Sequence, residues 1–270
     1  MIIAGKPQDK PLAESGHYYA RDGQPAYGSG MKEVRSRGLV PSITTIQSDD
    51  RAWALETWKL EQVALNCWDN PGHGMGDEVR DAWVEARVEQ SREATKAFAD
   101  FGTEYHDGAE AILNGANWDR NDPWLIEFDK WAQANVVQVF WTEKCLVHPT
   151  NLYAGRADAF IEHQEHGAVL VDYKTRKLRQ LKSGKFSCAG CRYDKDIEQL
   201  AGYADCLDTT PRVMNIYVHR EAPAEPVPYL WPEEVQAYWL ESMMLAAERW
   251  TLKHKYDPRD WKPEEGEVSA

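Results

Sequence analysis

Two apolar segments separated by a short polar turn form the clearest pattern of hydrophobic and polar positions in the chain. They lie on either side of residues 163–167 and are rich in Ala, Val, Ile, Leu and Phe. This pattern predicts a β-hairpin whose strands are largely buried. Ionisable residues interrupt both strands, because Asp158 lies within the first, and Asp172 and Lys174 end the second. We call residues 153–174 the central hairpin.

The register of the central hairpin decides whether its charged side chains meet. If the loop holds five residues, Glu162 pairs with Ala168. Asp158 then lies opposite Asp172, and Lys174 follows one pleat further along the same face. A slip of one residue would place the two carboxylates on opposite faces. The pattern therefore predicts an acidic pair with a neighbouring ammonium group.

Two facing carboxylates on a half-buried sheet repel each other, and burial favours protonation of at least one. A divalent cation removes this conflict, and oxygen ligands of this kind suit Mg²⁺ or Mn²⁺. The ammonium of Lys174 could then orient or deprotonate a water molecule and stabilise charge on a phosphate. The alternative is an ordinary Asp–Lys salt bridge at the end of a strand.

The remaining pattern predicts several helices and shorter strands. Ser48 is a candidate N-cap for a helix that ends near Trp68. Residues 78–114 are expected to form either one long helix or two stacked helices. Aromatic residues around Asp22-Gly23 predict a hairpin. Further helices are expected at 123–140, 194–207 and 232–255, and further strands at 41–46, 143–148 and 212–220.

Composition limits the classes of function. The chain has 270 residues and a formal net charge of -13, so the molecule as a whole does not attract nucleic acid, and any DNA path must be local. Five cysteines without regular spacing, and no apolar N-terminal segment, favour a reducing cytoplasm over secretion. No apolar run approaches the roughly 20 residues that span a bilayer.

A basic segment follows the central hairpin directly. Five positive charges fall within residues 175–185 of this acidic chain, at Arg176, Lys177, Arg179, Lys182 and Lys185. Such a segment can contact phosphates, or it can simply form a solvated face.

Cys188 and Cys191 form a C-x-x-C motif shortly after the basic segment. With Cys67, Cys145 and Cys206 elsewhere in the chain, an iron–sulfur cluster or a zinc site has to be considered. A single C-x-x-C is weak evidence for either, so we expect neither.

An Asp, a β-turn and then Asp-x-Lys on the next strand resemble the catalytic core of the PD-(D/E)XK nucleases, with Asp158, Asp172 and Lys174 at the defining positions. The likeness is to the exonuclease branch, which includes the RecB-type nuclease domain, phage exonucleases and the mitochondrial genome maintenance exonuclease. Three further segments fit this branch, namely FGTEYHDGAE around His106, EQLAGY at 198–203 and VPSITTI at 40–46.

The resemblance implies roles for individual residues. It makes His106 a metal ligand together with Asp158, Asp172 and the carbonyl of Tyr173, whereas a lone histidine on a helix is more often structural. Glu110, one helical turn after His106, would be a fourth ligand or an orienting partner. The resemblance also implies side chains that lie near the DNA or hold the site in shape, namely Ser42, Thr44, Thr45, Gln199 and Tyr203. Ser42, Thr44 and Thr45 could equally serve only to satisfy backbone groups.

We therefore expect an α/β fold in which a mixed sheet of about four to five strands is flanked by helices, with the His106 helix on one side and the Gln199 helix on the other. A single nuclease domain would comprise an N-terminal hairpin extension (1–39), the core (40–220), and a C-terminal helix and tail (221–270).

The expected function is metal-dependent hydrolysis of DNA from free ends, mainly of single strands, in phage or bacterial replication, recombination or repair. Mg²⁺ is the expected cofactor, and Mn²⁺ should substitute for it. A recombination or single-strand-binding protein is a candidate partner, no membrane is expected, and the expected location is the cytoplasm of a bacterial host, with a phage as a candidate source. The alternatives are an endonuclease of the same superfamily and a non-catalytic nucleic-acid-binding subunit, although the latter has no use for the complete Asp158, Asp172 and Lys174 set.

Overall fold

The computed structural model describes residues 18–26, 30–72 and 76–262. Its helices are α1 (Met31–Arg37), α2 (Ile43–Asp69), α3 (Asp77–Leu113), α4 (Pro123–Asn135), α5 (Asp194–Asp205) and α6 (Glu233–His254). Its strands are β1 (Tyr18–Tyr19), β2 (Pro25–Ala26), β3 (Val40–Pro41), β4 (Val136–Val147), β5 (Ala154–His163), β6 (Gly167–Arg176), β7 (Arg179–Gln180), β8 (Phe186–Ser187), β9 (Arg212–His219) and β10 (Val227–Leu230).

The centre of the fold is a five-stranded sheet with the strand order β10-β9-β6-β5-β4. β6 and β9 are parallel, and the other neighbouring pairs are antiparallel. The sheet is therefore mixed, as predicted. The two strands of the central hairpin, β5 and β6, both lie in the interior of the sheet, and both are largely buried.

Helices cover both faces of the sheet. On one face, α3 and α4 pack through residues such as Phe128 against Val171 and its neighbours. On the other, residues of α2, α5 and α6, Trp250 among them, belong to the same apolar cluster as Leu170. Leu170 and Val171 are adjacent in β6, so their opposite directions follow from the two-residue period of a strand. The predicted placement of the His106 and Gln199 helices on opposite sides is confirmed.

The predicted helix at 123–140 is too long. α4 ends at Asn135, and β4 begins at Val136, seven residues before the predicted start of that strand at Glu143. Val136, Val137, Val139 and Phe140 are β-branched or aromatic and suit a pleated surface better than a helix.

The predicted strand at 41–46 and the predicted cap at Ser48 are also wrong. Only Val40 and Pro41 form a strand, and α2 begins directly after Ser42. The Oγ atom of Ser42 accepts a hydrogen bond from the backbone N–H of Thr45 at 3.0 Å, which makes Ser42 the N-cap. Ser48 lies inside the helix and donates to the carbonyl of Thr45.

Several short elements were not predicted, namely α1, β10 and the small β7–β8 hairpin, which we call the basic hairpin (residues 177–187). The N-terminal hairpin around Asp22-Gly23 is confirmed, and β1 also pairs with β3. Residues 1–17 of the N-terminal extension and 263–270 of the tail lie outside the described residues. Among the described helices, none has both the length and the apolar character needed to cross a membrane.

A buried ion pair joins the end of β6 to the start of α5. The Nη1 and Nη2 atoms of Arg176 donate to the two carboxylate oxygens of Asp196, both at 2.7 Å. The exposed fractions of the two side chains are 15% and 1%. The guanidinium also lies over the ring of Tyr193, 4.3 Å from its centroid. Arg176, predicted to contact DNA, thus directs its charge into the protein.

We expect Arg176→Met to lower the free energy of unfolding by about 3–5 kcal/mol, because the buried Asp196 carboxylate loses its cationic partner. Arg92 forms an exposed pair with Glu89, in which the side chains are 73% and 58% exposed, so Arg92→Met should cost less than about 1 kcal/mol. Urea denaturation followed by circular dichroism measures both. Equal losses in the two variants would contradict this structural role.

Candidate active site

The register of the central hairpin is the predicted one. Glu162 pairs with Ala168, and the hydrogen-bonded ladder ends with Ala159 opposite Val171. Asp158 and Asp172 are the next residues in this register. Where the ladder ends, Oδ2 of Asp158 accepts a hydrogen bond from the backbone N–H of Tyr173 at 2.7 Å. The side chain of Asp158 thus takes a place that a backbone carbonyl would otherwise fill.

Three side chains place possible metal-ligand atoms close together at this point. One ligand atom each from His106, Glu143 and Asp158 lies within 4.8 Å of the other two. Among the described residues, these three form the group of His, Cys, Asp or Glu side chains that could hold a metal ion. The Nδ1 atom of His106 is 3.4 Å from Oδ1 of Asp158. An imidazole nitrogen and two carboxylates form a donor set that suits a divalent cation.

Helix α3 brings His106 to the sheet because it approaches β6 closely one turn earlier. A Cβ atom on Gly102 would lie 3.3 Å from the Oγ1 atom of Thr175, so the missing side chain permits this approach. The ring of His106 meets the ring of Tyr173 edge-on, with centroids 5.4 Å apart. Glu110, one turn later, accepts a hydrogen bond from Thr142 at 3.3 Å. It lies beside the group of three rather than within it.

Glu143 was not predicted as a site residue. The pairs Thr142–Ala159 and Lys144–Ala157 flank it in the β4–β5 ladder, so Glu143 occupies the position opposite Asp158. Its φ is 47°, in the left-handed region. That conformation costs about 1–3 kcal/mol in a residue with a side chain, and such strain is concentrated at functional sites. The sequence shows only that an acidic residue lies in the strand before the hairpin. It contains no pattern that reveals the left-handed backbone of Glu143.

Asp172, predicted to bind the metal ion, lies outside this group of ligand atoms and in a different set of contacts. Nζ of Lys174 is 3.0 Å from Oδ1 and 2.7 Å from Oδ2 of Asp172. Nδ2 of Asn215 donates to Oδ2 at 2.7 Å. Lys174 also donates to Oε1 of Gln199 at 3.0 Å. The predicted Asp172 and Lys174 pair is therefore present, held from one side by α5 and from the other by β9.

Gln199 and Tyr203 share one face of α5, as their spacing predicts. Nε2 of Gln199 donates to the hydroxyl of Tyr203 at 2.8 Å, which fixes the orientation of the amide that meets Lys174. A Cβ atom on Gly155 would lie 2.3 Å from the Tyr203 ring, so this glycine makes room for the tyrosine. Tyr203 is buried, and its hydroxyl contacts Gln199, so its role in the structure is to support the site.

The electrostatics at His106 and Asp158 are those of an ion pair. Burial would lower the pKa of His106, but the carboxylates of Asp158, Asp172 and Glu143 together outweigh burial and raise this pKa to about 9. Burial would likewise raise the pKa of Asp158, but His106 and the N–H of Tyr173 hold it below its usual value. Without a metal ion, a proton on His106 therefore neutralises the charge of Asp158.

The other two carboxylates are also paired, Asp172 with Lys174 and Glu143 with Arg156, whose Nε atom is 2.8 Å from Oε2 of Glu143. Burial raises the pKa of Glu143 to about 7, and Asp158 adds to this effect. Burial raises the pKa of Asp172 to about 6, although Lys174 opposes it. Burial disfavours the charged form of Lys174, but the carboxylates of Asp172, Asp196 and Asp158 together outweigh it and raise the pKa of Lys174. A divalent cation beside these carboxylates would favour their ionised forms.

The remaining residues predicted to contact DNA fall into two groups. Oγ of Ser42 bonds to the hydroxyls of Thr44 and Thr45 as well as capping α2, so Ser42 is used within the fold. The second group consists of exposed cations of the basic hairpin, namely Lys177, Arg179, Lys182 and Lys185. Of these, Lys177 is 3.0 Å from Glu221 in an exposed ion pair.

Cys188 and Cys191 close a tight turn at the base of the basic hairpin, in which the N–H of Cys191 donates to the carbonyl of Cys188 at 3.1 Å. Both are buried with Leu178 and Tyr217 in a small apolar cluster. Burial raises the pKa of each thiol. The expectation that this motif carries neither zinc nor an iron–sulfur cluster stays a prediction.

No protein-family model matches the chain, and a search of curated proteins finds no match either. The inference of function therefore depends on the residues of the site.

We expect Glu143→Gln to weaken Mn²⁺ binding by about tenfold or more, because the variant removes a charged ligand; changes even to groups that only orient a ligand cost 10–100-fold. Glu162→Gln is the matched control, since Glu162 lies on the neighbouring strand four positions beyond Asp158. Isothermal titration calorimetry with Mn²⁺ measures both. Equal affinities of the two variants would exclude Glu143 from the metal site.

Proposed function

We propose that the protein is a metal-dependent deoxyribonuclease of the PD-(D/E)XK type that degrades DNA from free ends. The observation that carries this proposal is the position of the His106, Glu143 and Asp158 donor group beside the Lys174–Asp172 pair. An ordinary salt bridge at the end of a strand requires no histidine, no second buried carboxylate and no strained glutamate. A site for phosphodiester hydrolysis uses each of them.

His106, Glu143 and Asp158 would hold the metal ion, Mg²⁺ or Mn²⁺. Asp172 and the carbonyl of Tyr173, which the resemblance implies as ligands, would complete its coordination. When bound, the ion would act as a Lewis acid toward the phosphate and lower the pKa of the attacking water. Two carboxylates with raised pKa values suit this role, because a cation favours their ionised forms.

Lys174 would position the attacking water and stabilise the negative charge that develops on the phosphate. Its ammonium is held by Asp172 and Gln199, so it needs little rearrangement as the reaction proceeds. The side chain is 19% exposed, which leaves part of it accessible from outside. Because the pKa of Lys174 is raised, the group stays a cation at neutral pH.

The exonuclease assignment and the preference for single strands derive from the resemblance of the His106, Gln199 and Pro41 segments to that branch. We place the enzyme in a bacterial cytoplasm, with a phage as the proposed source. The five cysteines are unpaired, which is typical of a reducing compartment. A single-strand-binding or recombination protein is the proposed partner.

With Mg²⁺, we expect the purified protein to digest end-labelled single-stranded DNA and to leave covalently closed circles intact, and EDTA should abolish the reaction. Lys174→Ala, purified in parallel, should reduce the rate by about 100-fold or more, a typical effect of removing one group that stabilises transition-state charge. Cutting of closed circles would instead favour an endonuclease. DNA binding without cleavage in Mg²⁺ or Mn²⁺ would favour a non-catalytic subunit.

We expect the triple change of Lys177, Arg179 and Lys182 to Ala to weaken binding of single-stranded DNA and to flatten its salt dependence, because fewer counterions are released. If all three contact phosphates, the slope of log K against log salt should fall by about 2. The control changes Lys32, Arg37 and Lys253 to Ala, which removes the same charge from α1 and α6. Equal slopes in the two variants would mean that the basic hairpin is only a solvated face.

A further inference from the structure

A buried asparagine contacts the carboxylate of Asp172. Asn215 lies directly beside Asp172 in the parallel β6–β9 ladder and is 0% exposed. Its Nδ2 atom donates to Oδ2 of Asp172 at 2.7 Å. Lys174 contacts both carboxylate oxygens and so does not by itself fix the rotation of the group. Asn215 selects one oxygen and thereby sets the plane of the carboxylate.

The orientation of the Asn215 amide is itself fixed by a tryptophan. Nε1 of Trp231 donates to Oδ1 of Asn215 at 2.8 Å. An indole N–H can only donate, so it must meet the amide oxygen, and the amide NH₂ must then point at Asp172. Trp231 is in turn held at the end of β10 by a hydrogen bond from its backbone N–H to the carbonyl of Val213 at 3.0 Å.

The interior of β9 is otherwise apolar at this level. Met214 and Ile216 flank Asn215 and pack on the α3–α4 side of the sheet. A buried amide without partners would cost about 1–3 kcal/mol, so an asparagine here is stable only because Trp231 and Asp172 use both ends of its side chain. An apolar residue could fill the same position without needing either partner.

We infer that Asn215 and Trp231 are positioning residues that fix the carboxylate of Asp172 and, through it, the ammonium of Lys174. This inference rests on the proposed function, because it assigns the two residues to the same site. The contacts run from β10 across β9 to β6 and end at α5, where Gln199 meets Lys174. Neither residue has to touch the DNA to affect the reaction.

Three single variants test the inference. Asn215→Leu removes the amide while keeping a similar volume. Trp231→Phe removes the N–H that donates to Asn215 and part of the ring. Trp250→Phe is the matched control. Trp250 lies in the same apolar cluster, and within the described part of the chain its Nε1 atom has no hydrogen-bond partner. The two tryptophan variants therefore lose similar packing, but only one disturbs Asn215.

We expect Asn215→Leu to lower both kcat for single-stranded DNA and the affinity for Mn²⁺ by about 10–100-fold, the usual effect of losing a group that orients a metal ligand. Trp231→Phe should lower both by about tenfold, and Trp250→Phe should stay within about twofold of the unchanged protein. DNA affinity measured in EDTA should change by less than about twofold in all three, because positioning of Asp172 acts on the metal and on catalysis.

The double variant separates positioning from a general structural effect. If Trp231 acts through Asn215, adding Trp231→Phe to Asn215→Leu should lower kcat no further. The free energy of unfolding is measured for each variant, because the losses of two hydrogen-bonded residues need not add. If both residues only support the fold, the effects on kcat should multiply and follow the loss of stability.

The inference is overturned if folded Asn215→Leu keeps kcat and Mn²⁺ affinity within about twofold, or if Trp231→Phe behaves like Trp250→Phe. Should Asn215→Leu fail to fold, the comparison of the two tryptophan variants still decides. If the unchanged protein binds Mn²⁺ but cleaves no DNA, the proposed function fails, and the Mn²⁺ affinities alone test the positioning of Asp172. If it does neither, both proposals fail.

Discussion

The burial of Asp158 and Asp172 side by side is the constraint on which the other features of the site depend. Each carboxylate removed from water costs free energy unless it is paired or hydrogen-bonded. Asp158 is paired with His106 and accepts a hydrogen bond from the N–H of Tyr173. Asp172 is paired with Lys174 and accepts a hydrogen bond from Asn215. The burial of charge thus explains why a helix, a second helix and a neighbouring strand all direct polar side chains at one end of the central hairpin.

The same constraint separates structural from functional use of charge in this chain. Arg176 and Asp196 form a buried pair with two parallel hydrogen bonds, and this pair leaves little of either charge unmatched. Around Asp158 the third carboxylate, Glu143, also has a cationic partner, Arg156 at 2.8 Å. It nevertheless has a strained backbone, and burial raises its pKa to about 7. Buried groups with strongly shifted pKa values are concentrated at functional sites.

The sequence was sufficient to predict the register of the central hairpin, because its loop length and two apolar strands allow few alternatives. The contact between Gln199 and Tyr203 was also predictable from helical spacing. The end of α4 was not, since an amphipathic pattern continues smoothly into β4, where only the β-branched residues mark the change. Glu143 and Asn215 escaped prediction for another reason. Their roles depend on a positive φ and on a partner strand many residues away, and neither leaves a local pattern.

The parallel pairing of β6 with β9 has a consequence for how the site forms. Asp172 and Asn215 are 43 residues apart in sequence, and a parallel pair can form only after the intervening chain has crossed the sheet. Contacts of such long range are slow to form because the loop must close before the pairing stabilises it. His106 comes from still further away in the chain. The carboxylates of the central hairpin therefore gain their partners only when most of the fold is assembled. An ion that needs all of these groups would bind the native state selectively and so stabilise it.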